Sequence, residues 1–185
     1  MGNPQETLQQ YVSDMISLDK HILDAVDRQI EDKRTSNYPE TQQVLTKIQS
    51  TLKGHIPGLE QLLSNLGGDS TSPVKKAVSA VAGLAAGTYD KIRTDTVSKM
   101  LRDTYTAMSL SAISYTMLHT TGQALKHPQS AELAVGYLKQ VTPLIVEISE
   151  VVPLVVAHEI EDTDPAVGKR AVKDTQKAWS HRNVR

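Results

Sequence analysis

Val141–His158, VTPLIVEISEVVPLVVAH, is the stretch that decides the fold. Val141, Leu144, Ile145, Ile148, Val151, Val152, Val155 and Val156 cover far more of a helical circumference than one apolar stripe. A helix apolar over that much of its surface belongs in the middle of a bundle. Glu147 and Glu150 interrupt the run, and no stretch of about 18 uninterrupted apolar residues exists, so a core helix is expected and a membrane span is not. The β-branched content would suit a strand, but a strand this long would be unusual. Pro143 and Pro153 each delete a backbone donor, which predicts bends rather than breaks.

A second strongly helical stretch, Asp103–Leu125 (DTYTAMSLSAISYTMLHTTGQAL), backs the first. Towards the N-terminus, Asn3 as cap, Pro4 at the first helical position and Glu6 three residues on predict a helix start. Leu8, Val12, Met15, Leu18, Ile22, Val26 and Ile30 follow at helical spacing, and the polar run Glu31–Asn37 closes the helix. A second helix is expected from near Asn37, with Glu40 as back-bonding partner. Its inner stripe is Val44, Ile48, Leu52, His55, Leu59, Leu62 and Leu66, with a kink at Gly54, Pro57 and Gly58 and a stop at Gly67-Gly68. Ser72-Pro73 opens an Ala/Gly-rich segment in which Gly83 and Gly87 stand four apart, a spacing that permits close backbone approach and is read as local packing ahead of a dimerisation device. The third helix is expected from about Thr88 or Asp95 to Leu125, and the fourth from Ser130 to about Glu161. Asp162–Asp164 and Pro165 end the fourth helix, and an amphipathic tail follows.

At 185 residues the chain has the size of one domain and is long enough to bury a substantial core. Its net charge of -1 gives no global attraction to nucleic acid or anionic lipid. The absence of Cys excludes disulfides, thiol catalysis and cysteine-based zinc sites. With no basic-then-apolar leader in MGNPQETLQQ, a cytoplasmic location is the expectation. Phe is absent and Trp179 is the only Trp, so the core must be aliphatic with some Tyr.

Four long helices with short links and one longer crossover between the second and third read as an all-α, up-down four-helix bundle. On YVSDMISLDKHIL, GHIPGLEQLLSNLGG and DTYTAMSLSAISYTMLHTT the chain resembles the ferritin-like superfamily, closest to the small bacterial YciE-type ferritin-like proteins. The resemblance covers roughly residues 6–161 and implies a ferritin-like bundle, which with a short extra helix is expected to occupy residues 1–162; the charges of residues 163–185 read as a separate basic amphipathic tail. The resemblance also implies inward carboxylates and Glu-x-x-His pairs for a di-iron centre, and here most of those positions are missing. Asp19 stands about where a Glu would be, Leu52 where a carboxylate should precede His55, and Thr104, Thr106 and Met108 fill the third helix's inward neighbourhood.

Asp19, His55, Glu147 and Glu150 are the candidate metal ligands, with Glu147 and Glu150 three apart on one helix face and able to share a single divalent cation. The competing reading pairs those acids with Lys or Arg at the bundle edge. His21, His119 and His158 each adjoin an apolar stripe and are better read as hydrogen-bonded packing residues than as ligands. Tyr105, Tyr115, Thr104, Ser111, Ser114 and Thr116 give the third helix an unusual hydroxyl content, suited to a polar cavity or to back-bonding onto helix carbonyls. Lys169, Arg170, Lys173, Lys177, Trp179 and Arg182 form the candidate partner or nucleic-acid surface of the tail. The functional expectation is a non-catalytic ferritin-like bundle, a stress-associated structural or interaction protein that forms homo-oligomers, with no cofactor and no membrane partner. The alternatives are a metalloprotein with a reduced carboxylate/histidine site and a DNA-associated or self-assembling protein using the basic tail.

Overall fold

The structure is a computed structural model that describes residues 3–68 and 96–180. Five α-helices carry the described chain, with no strand among the described residues. They are α1 (Pro4–Glu31), α2 (Pro39–Asn65), α3 (Val97–Ala124), α4 (Pro128–Glu159) and α5 (Ala166–Ser180), with a 3-10 turn at Thr35–Asn37. The Ser72-Pro73 segment, the Gly83/Gly87 pair, the expected helix starts at Thr88 or Asp95 and the tail residue Arg182 lie outside the described residues.

Local chemistry sets the helix ends. The Asn3 side chain accepts a hydrogen bond from the Gln5 amide at 3.1 Å, and Pro4 occupies the first turn, as the cap pattern predicts. The second helix does not start at Asn37. Pro39 holds Tyr38 in an extended conformation (φ -128°, ψ 86°). Thr35 Oγ1, within 2.9 Å of the Gln29 carbonyl and 2.8 Å of the Asp32 carbonyl, pins the preceding residues in a 3-10 turn. At the other end of α2, Gly67 takes φ +77°. Its amide and that of Gly68 donate to the Ser64 and Leu63 carbonyls, which is the paired arrangement that terminates a helix at a glycine. Pro57, Pro143 and Pro153 lie inside continuous helices.

Every residue of the predicted inner stripe of α2 is buried, as are Leu8, Val12, Met15, Leu18, Ile22 and Val26 of α1. In α4, Val141, Leu144, Ile148, Val151 and Val155 are buried, and Val156 is exposed. The helix packs against α2, α3 and α5. It is also long and apolar enough by length and composition to cross a bilayer, with a mean hydropathy of 1.6 over its most apolar window. A helix touching protein on three sides has the same composition.

Side-chain contacts fix the helix directions. Asp19 meets Ser111 and Tyr115 while Gln29 meets Thr104, so α1 and α3 are antiparallel. Lys47 meets Glu147 while Gly58 lies against Tyr137, so α2 and α4 are antiparallel too. Gln5 and Gln9 both donate to the Leu66 carbonyl, which places the end of α2 beside the start of α1. The Ser98 amide and hydroxyl donate to Glu159, which places the start of α3 beside the end of α4. The end of α2 and the start of α3 are therefore at opposite ends of a bundle about 40 Å long.

The tail forms α5 and lies on α4. Gly168 is the point of closest approach: a Cβ there would stand 3.1 Å from Leu154 Cα, 3.2 Å from the Pro153 oxygen and 3.2 Å from Ala157 Cβ. Trp179 packs edge-on to Tyr105 with ring centroids 5.9 Å apart. Replacing Gly168 with Val should therefore push α5 away from the α4 backbone and cost roughly 1–3 kcal/mol. Chemical denaturation monitors this, and an unchanged midpoint would show that α5 does not rest on α4 in solution.

Candidate functional site: a buried carboxylate at the centre of the bundle

Asp19 is the one carboxylate among the fully buried described residues, with no solvent exposure. It sits on the inner stripe of α1 between Met15 and Ile22, and α3 supplies its donors. Tyr115 Oη donates to Asp19 Oδ2 at 2.5 Å, and Ser111 Oγ donates to Asp19 Oδ1 at 3.1 Å. Ser111 and Tyr115 stand four apart, so one face of α3 presents both hydroxyls together.

His55 of α2 adds the third wall. Its Nδ1 lies 3.2 Å from Tyr115 Oη and 3.8 Å from Asp19 Oδ2. The phenol has a single proton, and the short bond to Asp19 uses it, so the phenolic oxygen accepts from His55. That places a proton of the imidazole on Nδ1. Nε2 is buried and has no hydrogen-bond partner among the described residues. The imidazole lies flat on the Tyr137 ring of α4, with centroids 3.8 Å apart and planes 4° apart. Gly58, one turn after His55, makes this stacking feasible: a Cβ there would fall 2.0 Å from the Tyr137 hydroxyl.

Burial, the Asp19 charge and the bond to Asp19 together push the Tyr115 phenol far above the ordinary tyrosine range. Burial, followed by the Asp19 charge, also raises Tyr137. A smaller polar pair lies further along the core, where Thr104 Oγ1 donates to Gln29 Oε1 at 2.8 Å and Gln29 Nε2 has no partner among the described residues.

The four candidate ligands fall into two places. Asp19 and His55 come together in the core. Glu147 is ion-paired with Lys47 at 2.6 Å on the outside of α4, and Glu150 accepts from Gln176 of α5 at 2.5 Å. No group of three or more His, Asp or Glu residues suited to a metal ion occurs among the described residues. Thr106, expected to point inward, is exposed and bonds to the Arg102 carbonyl. His119 Nδ1 lies 2.9 Å from the Ala131 carbonyl, His158 stacks edge-on to Tyr38, and His21 is exposed.

On α5, Lys169, Lys173 and Lys177 are exposed, and Arg170 lies 3.7 Å from Asp164. Lys169 and Lys173 line a surface cleft of about 500 Å³ together with Glu40, Glu147 and Glu150. Carboxylates therefore face part of the basic stripe.

Tyr137 and Gly58 were not picked out from the sequence as members of this centre, nor Gln29 as part of the smaller pair. The available signal was the spacing His55-x-x-Gly58 on an apolar stripe, a glycine one turn from a histidine where a bulky ring needs room. Compared with family models, curated proteins and solved structures, the chain matches none.

Removing the Tyr115 hydroxyl leaves Asp19 with Ser111 as its remaining hydroxyl donor and should cost about 2 kcal/mol. The pH dependence has a definite sign. A phenol raised in the folded state contributes stability that is complete below the unfolded value near 10 and is lost as pH rises above it. Wild-type stability should thus fall above pH about 10 by up to roughly 1.4 kcal/mol per unit from Tyr115. Tyr115→Phe should be less stable at pH 7 and show a shallower alkaline decline. Equal slopes in urea titrations of both proteins would contradict this account.

Proposed function

We propose that this chain is a ferritin-like four-helix bundle that works as a structural or interaction protein and not as an iron-oxidising enzyme. The helix order and directions support the architectural part. Two antiparallel hairpins, α1–α2 and α3–α4, are joined between opposite ends of the bundle, as in ferritin-like bundles with one long crossover. The resemblance to the YciE-type proteins adds the stress-associated setting.

The observation that carries the functional part is the donor set at the centre. A di-iron centre of this architecture draws a Glu from each of two helices and a Glu-x-x-His pair from each of the other two. Here the centre holds Asp19, His55 and hydroxyls, and its inward neighbours on α2 and α3 include Leu52, Thr104 and Met108, all buried. Glu147 and Glu150 are engaged on the outside with Lys47 and Gln176. One carboxylate and one imidazole compensate the charge of two irons poorly, so these residues do not fit the group that the resemblance implies. What the arrangement does well is hold four helices in one register.

Aerobic addition of Fe(II) to the full chain tests this reading. Oxygen uptake should not exceed the buffer rate, and gel-filtered protein should not retain two irons per chain. Two retained irons together with catalysed oxidation would overturn the proposal.

A further inference from the structure

α3 differs from its neighbours in what it shows to solvent. The outer surfaces of α1 and α2 carry exposed charges, among them Lys20, Asp24, Arg28, Glu40, Lys47 and Lys53. From Thr104 to Leu125 the chain holds no Asp, Glu, Lys or Arg at all. Ser109, Ile113, Thr116 and Thr120 follow at intervals of four, three and four, so they lie along one stripe of α3. α4 packs against α3 and repeats the spacing with Thr142, Val146 and Ser149, and it is uncharged from Gln140 to Val146. Side by side the two stripes make one uncharged outer face, with Lys139 at its border. Ile113 is 54% exposed on it and Val146 47%. The hydroxyls of this face are already satisfied. Those of Thr116, Thr120, Thr142 and Ser149 donate to carbonyls of their own helices at 3.0, 2.9, 2.8 and 2.6 Å. A donor satisfied within its own helix loses no hydrogen bond when water leaves, so covering this face carries a small desolvation penalty.

We propose that this face binds a second copy of the chain, with the α3–α4 pair of one protomer lying on the α3–α4 pair of the other about a two-fold axis. Electrostatics selects this occupant. A two-fold contact sets a patch against itself, so any net charge on the patch would meet its own sign. Here there is none to repel. A basic or acidic protein, a nucleic acid or an anionic lipid surface would find no opposite charge on the same face to steer or orient it. The size agrees as well. Thr106–Ala124 of α3 is about 28 Å long, and two adjacent helices are about 20 Å wide, which gives roughly 560 Å² per copy. The pair then buries about 1,100 Å², just above the ~1,000 Å² that a specific interface needs. Such a contact is reversible and holds by shape and apolar area, not by ion pairs. It names the partner for the interaction role proposed above and is independent of the buried centre.

Sedimentation velocity on the full chain between about 1 and about 200 µM should show a monomer–dimer equilibrium in the micromolar range. Ile113→Lys and Val146→Lys each bring two like charges into the contact and should each weaken association at least about tenfold. Both side chains are exposed in the monomer, so far-ultraviolet circular dichroism should not change. Asp24→Lys, on the outer surface of α1, should associate like the wild type. Raising salt from about 0.1 to about 1 M should leave the wild-type dimer intact, because screening acts on charges and this contact has none. That readout stands even if a variant fails to fold. Dimers that persist in both Lys variants, or that dissolve in salt, would overturn the proposal. So would a chain that stays monomeric throughout, whether the face is then found on phosphatidylglycerol vesicles or against residues 69–95 of its own chain.

Discussion

A carboxylate sealed from water at the middle of an aliphatic core constrains everything packed around it. Asp19 can remain there because α3 brings two hydroxyls to its oxygens and α2 brings an imidazole to the nearer hydroxyl. The ring on α4 then closes over that imidazole. Apolar contacts alone would tolerate a helix sliding or rotating by a residue, since one Leu or Val replaces another at little cost. Each residue step turns a helix by about 100°, so the same slip would carry Tyr115 or His55 away from Asp19 and leave buried polar atoms without partners. The cluster's contribution lies as much in selecting one packing as in stabilising it.

The helices themselves were plain in the sequence: the inner stripe named for α2 is buried throughout, that of α1 everywhere but at Ile30, and five of the eight apolar residues named for α4 are buried. Asn3-Pro4 and Gly67-Gly68 marked helix ends through backbone chemistry that operates locally. The start of α2 was misplaced because Asn37 has the composition of a cap. Two tertiary details, the Thr35 hydroxyl and the restriction of Tyr38 by Pro39, put the residue into a 3-10 turn instead.

The centre was legible only in part. His55 announced itself as a polar residue on an apolar stripe, and Asp19 was picked out only through the resemblance, as an acid about where a Glu would be. Their partners Ser111 and Tyr115 were visible as an excess of hydroxyls on α3, though not as donors to Asp19. Tyr137 and Gly58 belong to different helices, and no spacing within either helix links them. Glu147 and Glu150 were drawn into the candidate set because they interrupt an otherwise apolar helix. That helix is flanked by α2 and α5, so the two acids reach Lys47 and Gln176 at its edges.

Because α1, α2, α3 and α4 each contribute one wall of the centre, neither hairpin is complete by itself. The α1–α2 pair alone would expose an imidazole and a carboxylate stripped of their hydroxyl partners, and the α3–α4 pair would leave two phenols and a serine without the acceptor they surround. Sub-global opening that separates the hairpins therefore gives up polar and apolar contacts together, and partly opened forms gain little from the structure they keep. Backbone amides beside Asp19, His55 and Tyr115 should exchange with solvent through complete unfolding, as one cooperative unit, whereas those of α5 exchange through its own local release.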